Sequence, residues 1–94
     1  GGIYLKGKYF LNAITSGGSQ EAYQHEGRNQ YKIEEFLRPF EQTARLCHMN
    51  YLIPFHVAGT HKISDSELTQ KADSYREFLL KLRDEDDLTT YQNR

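Results

Sequence analysis

Apolar positions along the chain cluster into segments separated by polar loops. Lys8-Tyr9-Phe10-Leu11-Asn12-Ala13-Ile14-Thr15 is rich in aromatic and β-branched residues and ends at a polar run containing glycine. A nearly continuous apolar stretch of this kind predicts a strand covered on both faces. Ser16 to Gln30 carries Gly17, Gly18, Gly27 and Asn29 and reads as a long loop. Loops of that length inside a compact domain are usually functional or disordered. From about Ile33 to Met49, Ile33, Phe36, Leu37, Phe40, Ala44 and Cys47 recur at helical spacing and form one apolar stripe. Pro39 lies inside the pattern and either kinks the helix or marks a start later than Ile33.

Tyr51 to Ala58 predicts a second strand. Pro54 has no N–H for a ladder, so it belongs at an edge, a bulge or a strand end. Ser64 and Glu67 fit a capping box and Ile63 with Leu68 fits a hydrophobic staple, so a last helix starts at Ser64. Leu68, Ala72, Tyr75, Leu79 and Leu82 continue its apolar face, and Arg76, Lys81 and Arg83 suit its C-terminal dipole end. After Asp84 few core residues remain. The expected division is a domain over 1–83 and a frayed polar tail over 84–94.

The order strand–loop–helix–strand–helix predicts an α/β fold with parallel strands and right-handed crossovers. Two strands do not make a satisfactory parallel sheet, and the last helix needs a surface for its apolar face. The expectation is therefore half of a larger doubly wound domain. The chain begins with Gly1 and not Met, which fits a processed, truncated or incompletely observed chain.

Composition narrows the function. With 94 residues, 37% hydrophobic and 27% charged, the chain suits one small soluble domain. A net charge of -1 gives no electrostatic case for nucleic acid. The single cysteine, Cys47, excludes an internal disulfide and reads as a small buried hydrophobe. No apolar run approaches the roughly 20 residues that span a bilayer. A cytoplasmic location is the default. His56 and His61 straddle Gly59, and His48 adjoins Cys47, so no spacing matches a common zinc site and no metal is expected. Asp84-Glu85-Asp86-Asp87 reads as a solvated helix end, and Arg38 as a surface ion-pair partner of Glu34, Glu35 or Glu41.

Thr15-Ser16-Gly17-Gly18 directly follows the first strand, where open α/β sheets place ligands. The glycines allow a tight turn and close backbone approach to a flat ligand, and Thr15 and Ser16 add hydroxyls. Tyr23 follows as an aromatic ring with a polar tip. The alternative reading of the glycine pair is a simple turn. Neither a P-loop nor a G-x-G-x-x-G fingerprint is present.

These residues resemble a family. Gly1-Gly2 with Leu5, Gly7 and Lys8 is similar to the approach to the fourth strand in flavodoxin-like NAD(P)H:quinone oxidoreductases. Thr15-Ser16-Gly17-Gly18 resembles their T-T-G-G loop. Leu37-Arg38-Pro39-Phe40-Glu41, Cys47-His48-Met49 and Tyr51-Leu52-Ile53-Pro54-Phe55 resemble segments of the bacterial branch, which includes ancillary flavoproteins of glutathione-gated potassium efflux. The resemblance runs from Gly1 to about Leu82 and implies the C-terminal half of a flavodoxin-like domain.

It further implies FMN or FAD as cofactor, held here by Thr15, Ser16, Gly17 and Gly18. Tyr23 is implied to line a pocket used in turn by NAD(P)H and a quinone. The family's animal enzymes pair that tyrosine with a histidine six residues later, where this chain has Asn29. Asn29 can hydrogen-bond a quinone oxygen but cannot donate a proton at neutral pH. His25 is a nearby alternative. A homodimer, a two-electron quinone reductase activity and a location in the cytoplasm or peripheral at the inner membrane are implied. The alternatives are a regulatory flavoprotein subunit of a potassium-efflux transporter and a cofactor-free interaction module. The chain alone is expected neither to bind flavin well nor to stay monomeric.

Overall fold

The two expected strands are present, each broken into two short segments. β1 (Tyr9–Phe10) and β2 (Ala13–Thr15) come from the first, and β3 (Asn50–Tyr51) and β4 (Phe55–Val57) from the second. The computed structural model describes residues 3–92. The Gly1-Gly2 part of the N-terminal motif, and Asn93 and Arg94 of the tail, lie outside the described residues.

β1 runs parallel to β3, and β2 parallel to β4, with Tyr9 opposite Asn50 and Ile14 opposite His56. Between the paired positions, Leu11 and Asn12 face the longer insert Leu52, Ile53 and Pro54. The extra residue is a bulge, and it contains the proline that could not have served the ladder. Leu52 N–H donates to Phe10 O at 2.9 Å and Phe55 N–H to Asn12 O at 2.8 Å, so the ribbon resumes on either side. Asn12 also donates its side-chain amide to the Tyr51 hydroxyl at 2.8 Å.

The crossover is two helices, not one. α1 covers Ile33–Phe36 and α2 covers Arg38–Leu46. Pro39 sits in the first turn of α2, where its missing N–H is harmless, and the chain breaks at Leu37. The choice left open by the sequence resolves as a break with a restart. α2 also stops short of the expected Met49. His48 takes φ 58°, its N–H donates to Arg45 O at 3.0 Å, and Met49 N–H donates to Ala44 O at 2.9 Å. This is a Schellman stop with histidine where glycine is usual.

Ile33, Leu37 and Ala44 of the crossover are buried, as are Tyr51, Leu52 and Val57 of the second strand segment. Phe36 and Phe40, read as part of the stripe, are each 49% exposed, and Cys47 is only half-buried. Glu41 takes the place between Leu37 and Ala44, 6% exposed, and accepts from Arg38 at 3.0 Å and Arg45 at 3.2 Å. The expected surface pair is thus a clamped buried carboxylate. Burial alone would push the Glu41 carboxyl up, but its two guanidinium partners hold it below its usual range.

α3 (Asp65–Asp84) begins where the capping signature places it. Glu67 N–H donates to Ser64 Oγ at 3.1 Å, and the Ser64 hydroxyl donates to Glu67 Oε1 at 3.1 Å. Its expected apolar face is less well covered. α3 has no buried residue, and Leu68 and Leu79 are 50% and 41% exposed. Tyr75 does pack, 4.9 Å from Phe55 by ring centroids, and Phe78, outside the expected stripe, lies 6.0 Å from the same ring. In β2, Ala13 and Thr15 are exposed, so the expectation of cover on both faces is corrected.

The expected frayed tail is likewise corrected over its described part. Leu88 is 6% exposed. Ile53 N–H, left without a ladder partner by the bulge, donates to Tyr91 O at 2.6 Å, and Leu52 bridges Gln92 in antiparallel fashion. A backbone donor stranded in the bulge is what docks the tail. Among the described residues, no helix is long and apolar enough to cross a membrane.

Candidate functional site

β2 ends at Thr15, and the glycine loop that follows is tied to the segment after β4. Ser16 N–H donates to Val57 O at 3.0 Å, Thr60 N–H to Ser16 O at 3.1 Å, and Gly59 N–H to Gly18 O at 2.8 Å. Gly59 has φ +70°, a conformation that favours glycine. The Ser16 hydroxyl donates to Gly18 O at 3.0 Å and lies 2.8 Å from His56 Nε2.

The chain then makes a 3-10 turn over Gln20–Tyr23 and doubles back. Asn29 N–H donates to Ala22 O at 2.9 Å. A Cβ at Gly27 would overlap the backbone carbonyls of Glu21 and Ala22, which cannot give way. This fold-back brings Tyr23 and Asn29 together. Both line a cleft of about 770 Å³ with Gly17, Gly18, Arg28 and Lys62.

Among the described residues, the N–H groups of Gly17, Gly18 and Ser19 donate to no protein acceptor. They form a row of free donors beside the Tyr23 ring. That ring is held from two sides, edge-to-face with Phe36 at 5.8 Å and with His56 at 5.6 Å. Such a wall suits a flat heterocycle whose edge carries acceptor atoms, and the cleft has the size of a cofactor site. Arg28 and Lys62 against Glu21 leave the lining with a positive balance, suited to phosphate.

Not every expected residue reaches the cleft. The Thr15 side chain lies on the other side, in a groove under α3 with Phe55 and Leu68. The Ser16 hydroxyl is engaged by Gly18 O and by His56 of β4. His25 is 62% exposed and stands 3.3 Å from Glu35 Oε1, away from the cleft lining.

Sequence reasoning missed Arg28 and Lys62, and considered His61 and His56 only against a metal site. His61 and Lys62 follow the end of β4, and the rule that ligands gather beyond strand ends would have found them. His56 lies within β4. Its Nδ1 is buried without a partner among the described residues. Burial lowers its pKa below the ordinary value, against a smaller upward pull from Glu34, and so favours the neutral ring.

The pattern of the flavodoxin-like fold matches residues 1–79. The chain belongs to that family. It is 39% identical over 79 residues to the glutathione-regulated potassium-efflux system ancillary protein KefG of Pectobacterium carotovorum subsp. carotovorum (strain PC1), covering 84% of this chain and 43% of KefG. A solved structure named as a thermophilic tryptophan halogenase from Streptomycin violaceusniger superposes with a TM-score of 0.81 at 41% identity, over 85% of this chain and 46% of that one. General stress protein 14 of Treponema denticola, solved in complex with FMN, gives a TM-score of 0.70 at 30% identity, over 87% of this chain and 45% of that one. The chain thus spans less than half the length of these relatives. It is an α/β unit with parallel strands, corresponding to part of a flavodoxin-like domain.

Proposed function

We propose that the cleft is the flavin-facing wall of an NAD(P)H-dependent oxidoreductase with a quinone-type acceptor. The observation that carries this reading is the row of free N–H donors from Gly17 to Ser19 beside Tyr23. The FMN bound by a relative that is 30% identical supports a flavin and favours FMN over FAD. A bound flavin supplies the two-electron chemistry, accepting a hydride from NAD(P)H and passing the electrons to the acceptor.

This chain's own residues bind and orient. The N–H row holds the electron-rich edge of the heterocycle. The Tyr23 ring borders the pocket that donor and acceptor occupy in turn, and its hydroxyl donates to an acceptor oxygen. Asn29 adds an amide hydrogen bond and moves no proton at neutral pH. Arg28 and Lys62 attract the phosphates of the dinucleotide. Thr15 is left out of this assignment, and Ser16 acts through its loop. The protein works as a homodimer, in the cytoplasm or peripherally at the inner membrane.

A second reading is favoured by the KefG relative, named as an ancillary protein of potassium efflux. In that reading the flavoprotein is a regulatory subunit docked on a transporter, with catalysis secondary. The halogenase name belongs to a chain of which this stretch covers 46%.

The test is a visible absorption spectrum of protein purified from the complete open reading frame. A flavin band that bleaches with NAD(P)H and returns with quinone is the expected result. A band that NAD(P)H leaves untouched favours the regulatory subunit. No flavin, even after reconstitution, leaves only the cofactor-free interaction module.

A further inference from the structure

A single proton decides the arrangement around Ser16. Its hydroxyl lies 3.0 Å from Gly18 O, which can only accept, so the proton points there. The remaining Ser16 lone pair then accepts from His56 Nε2, 2.8 Å away. Nε2 therefore carries the ring proton and Nδ1 is bare. This agrees with the burial of Nδ1, which has no partner among the described residues. The opposite tautomer would strand an N–H in that place, and orphaned buried donors are rare. It would also take the Ser16 proton away from Gly18 O.

The imidazole thus touches both walls of the cleft. One edge holds Ser16 and, through it, Gly18 O, while the ring meets Tyr23 at 5.6 Å. We propose that His56 is a positioning residue whose Nε2–H fixes the Ser16 hydroxyl and, through it, the Gly17-Gly18 backbone that presents the free donors. This rests on the reading that the loop faces a flavin. The placement of His56 opposite Ile14 in the parallel register delivers its side chain to the loop one residue past the end of β2.

The experiment uses protein from the complete open reading frame. His56→Phe keeps the ring and loses the donor, Ser16→Ala removes the acceptor, and His56→Gln keeps an N–H near the same place. His56→Phe and Ser16→Ala should each weaken FMN binding roughly tenfold, the effect of one lost neutral hydrogen bond. The double variant should be no more than about twofold weaker than either single one, because both break the same link. His56→Gln should stay within about threefold of the parent. Wild-type affinity in a folded His56→Phe protein overturns the proposal, and so does a His56→Gln protein as weak as His56→Phe.

Two readouts need no flavin. Imidazole ¹⁵N shifts should report the neutral Nε2–H tautomer, and the other tautomer overturns the proposal. The Gly59 amide, which donates to Gly18 O at 2.8 Å, should exchange faster in His56→Phe and Ser16→Ala. Unchanged exchange would show that the link holds nothing. A parent protein without flavin would defeat the cofactor reading and leave these two measurements to decide the role of His56.

Discussion

The α1–α2 side of the ribbon and the α3 side are built differently. On the first, Ile33 and Leu37 are 8% and 7% exposed, Ala44 is fully buried, and a carboxylate is clamped by two arginines. On the second, a longer helix has no buried residue and reaches the ribbon through Tyr75 and Phe78 against Phe55. A groove of about 250 Å³ remains between α3 and β2–β4. The difference teaches that the two helical regions form for different reasons. The crossover is shaped by what it buries, and α3 by signals within its own sequence: a serine cap, acidic residues in its first turn and basic ones in its last. The cleft loop leans on the packed side, since Tyr23 rests on Phe36 of α1.

Truncating one leucine on each side gives the largest contrast. Leu37→Ala should cost about 2–4 kcal/mol in urea unfolding, the range for a buried leucine. Leu79→Ala, at a site 41% exposed, should cost less than about 1 kcal/mol. Equal losses would mean that α3 is covered as fully as the crossover.

Next in size is the clamp. Glu41→Gln should destabilise the fold by about 1–3 kcal/mol, since a buried charged hydrogen-bond partner is lost. The same link predicts a pH dependence. The folded-state pKa of Glu41 lies below its ordinary value of 4.5. Its contribution is therefore present above that value and lost as pH falls through the lower folded one. Melting curves across this acid range should converge for parent and Glu41→Gln; a gap that persists at low pH would show that the charge is not the cause.

Ser64→Ala should remove about 1 kcal/mol from α3, read as faster amide exchange in its first turn. If exchange does not change, tertiary contacts hold the helix start and the contrast with α2 weakens. The smallest effect is at the end of α2. His48→Gly should stabilise by up to about 1 kcal/mol, because φ 58° is strained for histidine. A loss of stability would show that the His48 side chain makes a contact worth more than the strain.

Several features were legible because their causes are local. Pro54 excluded itself from a ladder, and the bulge lies there. Pro39 required a helix start, and α2 begins one residue before it. Ser64 and Glu67 marked the head of α3. The glycine loop was placed at a strand end, and Gly17, Gly18, Tyr23 and Asn29 do share one cleft. Thr15 faces α3 instead, because alternate side chains of a strand point to opposite faces.

By itself, then, the sequence determined the order of elements, their breaks and caps, and the loop that bears the cleft. Each depends on residues within a turn or two of one another. The tertiary structure alone decided that Glu41 is buried, that Tyr91 docks on the bulge, and that His56 meets Ser16. The last two contacts join residues far apart in the chain. Their partners are chosen by strand register and by backbone donors left without a partner, neither of which any short stretch of sequence specifies.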